Sequence, residues 1–158
     1  MRARRARWCA LAVFPFFVAG CSFGHSKSGA HSVSAFDVKP GQCLLPPKDV
    51  REEISSLQVV DCTKPHTQEA YAIVKYDGTG SENGAAYPGD ATLGKFAEGA
   101  CGEHYEAYVG IAYQDSSLFF TYLLPSARSW QEGDDRSVIC FVTTTGEELT
   151  ASVKNSRR

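Results

Sequence analysis

The chain has 158 residues, of which 43% are hydrophobic and 22% are charged, values close to those of average soluble domains. This composition excludes a wholly disordered, a collagenous and a polytopic membrane protein, and the length predicts one folded domain. Residues 1–20 hold four arginines and no acidic residue, so their removal leaves 12 basic and 18 acidic side chains, a net charge of −6. Because nucleic-acid affinity requires Lys and Arg to displace counterions from phosphates, we expect no nucleic-acid partner.

The amino terminus has the pattern of an export signal. Four arginines within the first seven residues precede thirteen uncharged, mostly apolar residues at positions 8–20. At about 1.5 Å per residue this run extends roughly 20 Å, less than the hydrocarbon core of about 30 Å, which disfavours the alternative of an uncleaved membrane anchor. The adjacent Arg4 and Arg5 leave the route open between general secretion and twin-arginine export.

A lipid attachment site follows the apolar run. Val18, Ala19 and Gly20 precede Cys21, an order that resembles the bacterial lipobox, whose cysteine receives a diacylglyceryl group. Two acyl chains hold a protein stably on a bilayer, whereas one does so only marginally. We therefore predict that residues 1–20 are a lipoprotein signal peptide and that lipidated Cys21 anchors the exported protein to the outer face of the cytoplasmic membrane. The alternative is ordinary secretory cleavage beside a chance cysteine.

The composition divides the rest of the chain into a tether, a domain and a tail. Residues 21–35 are rich in Ser and Gly and lack apolar periodicity, which predicts a flexible tether. His25 and His31 within it are expected to be solvated, since two mobile imidazoles do not make a metal site. The folded domain is predicted at residues 36–153, and residues 154–158 are predicted to be a disordered tail.

Turn residues divide the domain into short segments, most of which have the composition of β-strands. Strands are predicted at residues 42–45, 56–62, 69–76, 118–124, 137–144 and, after a hairpin turn, 149–153. One long helix is predicted to begin at a cap formed by Asp90, with apolar residues every three or four positions from Leu93 to Tyr108. One or two helical turns are expected at residues 126–132. The pattern predicts an α+β fold, a small antiparallel sheet with one main helix packed on a face.

Four cysteines remain once Cys9 leaves with the signal peptide and Cys21 carries the lipid, namely Cys43, Cys62, Cys101 and Cys140. An even number in an exported domain predicts two disulfides, for which three pairings are possible. Cys101 lies on the apolar stripe of the helix, and Cys140 lies on the core side of its strand, so we expect them to pair. Cys43 and Cys62 then form the second structural bridge. A zinc site is disfavoured because no pair has the Cys-x-x-Cys spacing.

His66 is the first candidate for a functional contact. Pro65 restricts the backbone before it, so we expect the imidazole to bond a neighbouring carbonyl and order the turn at Cys62. The alternative is a ligand contact shared with Glu69. Nucleophilic use of Cys62 with His66 is disfavoured because a bridged sulfur is not a nucleophile. The sequence contains no metalloprotease or serine-hydrolase motif, and we predict no catalytic residue, metal or cofactor.

Tyr122 and Trp130 are the second pair of candidate contacts, for a ligand or a partner. They lie in the most aromatic part of the domain, and such rings either pack in cores or stack on sugars. Packing is the preferred interpretation, with Trp130 expected to be exposed among polar neighbours. If His66, Glu69, Tyr122 and Trp130 converge on one pocket, ligand binding or catalysis gains support; scattered positions favour a surface for a protein partner.

Several motifs occur along the chain in an order and at spacings that resemble those of the septum formation family of actinobacterial envelope proteins. They are Gly41-Gln42-Cys43; Val60-Asp61-Cys62-Thr63-Lys64-Pro65-His66 with Glu69-Ala70-Tyr71; Tyr87-Pro88-Gly89; Tyr105-Glu106-Ala107-Tyr108-Val109-Gly110; and Tyr122-Leu123-Leu124-Pro125 with Trp130, Gly133-Asp134, Arg136 and Cys140. The resemblance implies an extracytoplasmic domain with a role connected with cell division. We expect a domain that binds an envelope protein or a cell-wall glycan without catalysis. The alternatives are a wall hydrolase using His66 and Glu69, and a structural or chaperone-like lipoprotein.

Overall fold

The computed structural model describes residues 29–47, 53–78 and 86–158. The predicted signal peptide, the lipid attachment site at Cys21 and most of the predicted tether lie outside these residues. Within the described part of the chain, no helix combines the length and the apolar character that crossing a bilayer requires.

The described residues form six strands and two α-helices. In chain order they are β1 (His31–Ser34), β2 (Cys43–Leu44), β3 (Ser56–Val60), β4 (Gln68–Lys75), α1 (Asp90–Val109), β5 (Phe119–Leu123), α2 (Ala127–Glu132) and β6 (Ser137–Thr143). The strands form one sheet in the order β1-β3-β2-β4-β6-β5, and every neighbouring pair is antiparallel. The predicted antiparallel sheet with one main helix is confirmed.

Strands β4 and β6 form the longest pairing of the sheet, and both faces of β6 are covered. Its residues from Val138 to Val142 are all buried. Val138, Cys140 and Val142 belong to the cluster on the side of α1, whereas Ile139 and Phe141 belong to a second cluster on the opposite side. Because successive side chains of a strand point to opposite faces, a continuous apolar run of this kind belongs to a central strand covered on both sides.

Helix α1 packs one stripe of side chains onto the sheet, at the spacing predicted from the sequence. The buried residues of the stripe are Leu93, Ala97, Cys101, Tyr105, Tyr108 and Val109. The helix begins one residue earlier than predicted, since Gly89 is the N-cap and Asp90 is the first helical residue. Asp90 does not cap the helix because its carboxylate accepts a hydrogen bond from the Tyr87 hydroxyl instead.

Both predicted disulfides are confirmed. Cys101 and Cys140 join α1 to β6 inside the main core, where both cysteines are fully buried. The Tyr71 hydroxyl donates to the Cys101 carbonyl at 2.7 Å and ties β4 to the same turn of the helix. Cys43 and Cys62 join β2 to the turn that follows β3.

The predicted tether is wrong in its last residues, because His31–Ser34 forms β1. This strand pairs with β3 from His31 opposite Val59 to Ser34 opposite Ser56. An edge strand requires backbone hydrogen bonds on one side only, and none of its side chains is fully buried. Its Ser-rich sequence therefore carries no apolar alternation from which the strand could be predicted.

The carboxyl-terminal predictions are also wrong. Residues 149–153 do not form a strand; Leu149 makes an isolated bridge with His66, and the chain then crosses to the end of α1. The predicted disordered tail instead satisfies the last carbonyls of that helix. The amide of Asn155 donates to the backbone carbonyl of Tyr108 at 2.8 Å, and the amide of Arg157 donates to the backbone carbonyl of Val109 at 2.9 Å. Carbonyls at a helix end lack intrahelical partners, which explains why this polar segment is ordered there.

Candidate functional site

A cleft of about 590 Å³ opens on the sheet face opposite the α1 stripe, and we call it the open-face cleft. Its floor consists of Ile73, Leu123 and Ile139, one residue from each of the adjacent strands β4, β6 and β5. All three side chains belong to, or pack against, the second apolar cluster. The floor is therefore apolar and is held by paired strands rather than by loops.

Two walls enclose this floor. On one side lie Phe36, which follows β1, and Ile54, which precedes β3. On the other side lies the start of α2, where Ser126 and Ser129 form a capping box, each hydroxyl accepting from the other residue's amide. Phe36 is 61% exposed, the highest value among the large hydrophobic side chains of the described residues.

The rim of the cleft is acidic. Its carboxylates are Glu53, Asp90 and Asp135, and none of the described lining residues is Lys or Arg. Glu53 accepts a hydrogen bond from the Ser126 hydroxyl and forms a 3.8 Å ion pair with Arg128, which lies outside the lining. Asp135 accepts from the Ser137 amide at 3.0 Å and the Ser129 hydroxyl at 3.1 Å. The acids are thus oriented by neighbours while the rim keeps an excess of negative charge.

Tyr87 contributes a neutral donor to the same rim. Burial, followed by the hydrogen bond to the Asp90 carboxylate, raises the pKa of Tyr87 to about 12. Its phenol therefore keeps its proton at neutral pH, and that proton is directed at Asp90.

A second polar group lies in the core on the other side of the sheet. Glu69 of β4 is fully buried, and its carboxylate accepts three hydrogen bonds. The donors are the Tyr108 hydroxyl, the Ser152 hydroxyl at 2.7 Å and the Val153 amide at 2.8 Å. Burial, then the hydrogen bond to Glu69, raises the pKa of Tyr108 and keeps its phenol a donor. Glu69 thus ties together β4, α1 and the carboxyl-terminal segment.

His66 lies beside this carboxylate and is fully buried. Its Nδ1 is 2.7 Å from the Lys64 carbonyl, which confirms the predicted bond to a neighbouring carbonyl. A carbonyl only accepts, so Nδ1 carries a hydrogen, and in the tautomer that has its one hydrogen there Nε2 presents a lone pair. Among the described residues Nε2 has no hydrogen-bond partner, an arrangement that generally costs about 1–3 kcal/mol in a protein interior.

The surroundings of His66 do not make a metal site in this bridged form. One ligand atom each of Cys43, His66 and Glu69 lie within 4.8 Å of one another. Cys43, however, is bonded to Cys62, and a disulfide sulfur is not the thiolate that zinc binds. The Glu69 carboxylate already accepts from three donors.

The four predicted contact residues do not converge. His66 and Glu69 lie together in the core, and neither lines the open-face cleft. Tyr122 lies on β5 opposite Cys140, and its hydroxyl approaches Gly94 of α1. A general acid or base must reach the bond that it protonates, so full burial gives no support to His66 and Glu69 as acid and base for a wall polymer.

Trp130, which we expected to be exposed, is only 1% exposed. Its ring packs against Tyr76 and Tyr87 at centroid separations of 5.9 and 5.7 Å, and the Arg136 guanidinium lies 3.7 Å from its centroid. The polar neighbours of Trp130 in the chain occupy the outer side of α2, while the indole is the one buried side chain of that helix. The ring is therefore a packing element rather than a free platform for sugars.

The sequence analysis did not find the open-face cleft. Its lining comes from segments that are far apart in the chain, and the floor residues read individually as ordinary strand residues. The only local signal is Phe36, a large aromatic side chain at the first position of the predicted domain, directly after a Ser-rich stretch.

A family model described as septum formation matches residues 40–157, which include both disulfides, α1 and every strand except β1. No curated protein and no solved structure matches the chain. The match covers most of the chain and agrees with the motifs that the sequence analysis found. The chain therefore belongs to the septum formation family, which associates it with cell division and the envelope.

Proposed function

We propose that this protein is a lipid-anchored, extracytoplasmic interaction domain that takes part in septum formation by binding an apolar segment of an envelope protein. The open-face cleft is the observation that carries the proposal, and binding there requires no catalysis. Lipidated Cys21 holds the domain at the outer face of the cytoplasmic membrane. His31 at the start of β1 is ten positions after Cys21 in the chain, so the first residue of the sheet lies within about 36 Å of the lipidated residue.

The shape of the cleft supports binding of a side chain or a short segment. Its volume of about 590 Å³ is within the usual range of ligand sites, roughly 300 to 1,000 Å³. Leu123 and Ile139 face it from paired strands, so the apolar floor is formed before a partner arrives. Phe36 stands exposed at the wall, and exposed large apolar groups beside a concavity are typical of interaction sites.

The charge of the rim indicates the chemistry of the partner. Glu53, Asp90 and Asp135 give an acidic border without a basic lining residue. Such a border attracts apolar segments flanked by Lys or Arg and repels anionic wall polymers. A glycan is less well supported, because Trp130 and Tyr122 pack against the core and offer no exposed platform.

A photocrosslinking amino acid at position 36, in intact cells, tests this proposal. Position 119 is the matched control, because Phe119 is also a surface phenylalanine, 43% exposed, and does not line the cleft. We expect a discrete protein adduct from position 36, none from position 119, and a weaker adduct when Glu53→Lys makes the rim less acidic. Equal adducts at both positions, or an adduct made of glycan alone, would overturn the proposal.

A further inference from the structure

The two disulfides differ in their access to solvent. Cys101 and Cys140 are both completely buried in the main core. In the other bridge Cys43 is completely buried, whereas Cys62 is only partly buried and lies in the turn that begins at Asp61. A thiol of another protein has to meet a sulfur directly to exchange with a disulfide. Of these two bridges, only the one between Cys43 and Cys62 offers a residue at the surface.

The buried end of that bridge lies beside an acceptor without a donor. Cys43, His66 and Glu69 place one ligand atom each within 4.8 Å of one another. Glu69 already accepts from three donors, whereas His66 Nε2 has no partner among the residues that the structure describes, because the Lys64 carbonyl holds a ring hydrogen on Nδ1. A bridged Cys43 sulfur carries no hydrogen and cannot supply the missing bond.

Reduction changes this balance. Opening the bridge frees the Cys43 side chain to rotate beside the His66 ring, and its thiol would carry a hydrogen that it can donate to His66 Nε2. The same pocket is therefore better satisfied when the bridge is open than when it is closed. An interaction available to the reduced form alone makes a disulfide a stronger oxidant.

We propose that the bridge between Cys43 and Cys62 is an exchangeable, redox-active disulfide that accepts two electrons from a protein dithiol of the envelope. Cys62 is the sulfur that the partner attacks, Cys43 is the sulfur that is released, and His66 Nε2 accepts the hydrogen bond of the released thiol. The bridge between Cys101 and Cys140 is structural. This activity does not depend on the open-face cleft.

The exchange runs in two balanced steps. A partner thiolate attacks the Cys62 sulfur and forms a mixed disulfide; the electron pair of the old S–S bond leaves on Cys43, which takes up the proton that the partner thiol had lost. The second partner thiol then loses its proton and attacks the partner sulfur of the mixed disulfide, and the released Cys62 takes up that proton. The partner dithiol has lost two electrons and two protons, and Cys43 and Cys62 have gained them.

Redox titration of the folded mature chain with dithiothreitol tests the proposal. Thiols are alkylated at each point, and peptide mapping reports the two bridges separately. We expect the bridge of Cys43 to open while that of Cys101 stays closed, with the fold retained by circular dichroism. His66→Phe removes the acceptor and should shift the equilibrium at least about tenfold towards the disulfide, equivalent to about 30 mV.

His104→Phe is the matched control. His104 also directs Nδ1 at a backbone carbonyl, that of Ala100 at 3.0 Å, but it is exposed and lies on α1. We expect no shift in this variant. An equal shift in both variants, or opening of both bridges only when the protein unfolds, would overturn the proposal.

A second measurement does not require a histidine variant. Single thiols are left by Cys43→Ser, which frees Cys62, and by Cys62→Ser, which frees Cys43. We expect the free Cys62 to form a mixed disulfide with oxidised glutathione at least about tenfold faster than the free Cys43, because partner access depends on exposure. Equal rates would contradict the assignment of Cys62 as the attacked sulfur.

Discussion

The hydroxyl of Tyr108, in the last turn of α1, donates a hydrogen bond to the carboxylate of Glu69, in the second position of β4. Both residues are buried, and the same carboxylate receives the Val153 amide from the carboxyl-terminal segment. A charged acceptor in the interior is tolerable only when donors replace its lost water. This relationship ties together three parts of the chain, namely β4, α1 and the carboxyl-terminal segment.

Tyr108→Phe should lower the free energy of unfolding by about 1–3 kcal/mol, because it removes one donor from a buried carboxylate without removing the ring. Chemical denaturation followed by circular dichroism measures the change. Tyr122→Phe is the control, since the hydroxyl of Tyr122 is only partly buried and makes no hydrogen bond to the described residues. Its effect should stay within about 0.5 kcal/mol; equal losses in both variants would contradict the role of Glu69.

Alkaline pH should destabilise the fold through two buried phenols. Burial is the main cause that raises the pKa of Tyr71 and of Tyr108 above the ordinary value of 10.0. At a pH below this ordinary pKa, the folded and the unfolded chain both keep the phenol protons, and the stability linked to the two tyrosines is fully present. Above it the unfolded chain releases protons that the folded chain keeps, so stability falls as pH rises.

Urea unfolding at a series of pH values from about 8 to 11 measures this slope, since ordinary phenols titrate near pH 10. Tyr71→Phe should make the decline less steep. A decline that is the same in the variant and in the original protein would show that Tyr71 does not contribute to it.

Trp130→Ala should destabilise the domain by about 3–5 kcal/mol, as expected for the loss of a buried aromatic side chain. The ring is 1% exposed and packs against Tyr76 and Tyr87 under the Arg136 guanidinium. Thermal unfolding gives the loss. A variant with unchanged stability but weaker glycan binding would instead indicate that Trp130 binds sugar and does not support the fold.

Cys21→Ala should release the protein from membranes or block its processing, because the acyl chains have no other attachment point in the predicted lipobox. Fractionation of cells, with immunodetection of the mature and precursor forms, measures the distribution. Serine in place of Cys9, which lies within the predicted signal peptide, provides the control and should leave the distribution unchanged. Full membrane association of the Cys21 variant would contradict lipid anchoring.

Much of the fold follows from local patterns. The apolar spacing from Leu93 to Tyr108 predicted α1, and strand-like composition between turn residues predicted β6, with Cys140 on its core side. The pairing of Cys101 with Cys140 followed from the same two patterns, because a helix stripe and a strand face that share a core bring their cysteines together. The candidate site was less predictable: His66 was placed beside a carbonyl correctly, but Phe36 was the one local signal of the cleft and did not suffice to predict it.

The sequence by itself determined the strands of the central sheet, the main helix, both disulfides and the family, since each depends on neighbours along the chain or on the order of motifs. Only the tertiary structure decided that Trp130 is buried, that β1 extends the sheet and that the carboxyl-terminal segment caps α1. It also decided that Phe36 and Ile139, a hundred residues apart, line one cleft. Periodicity reports which face of an element is apolar, whereas burial depends on what that face meets after folding.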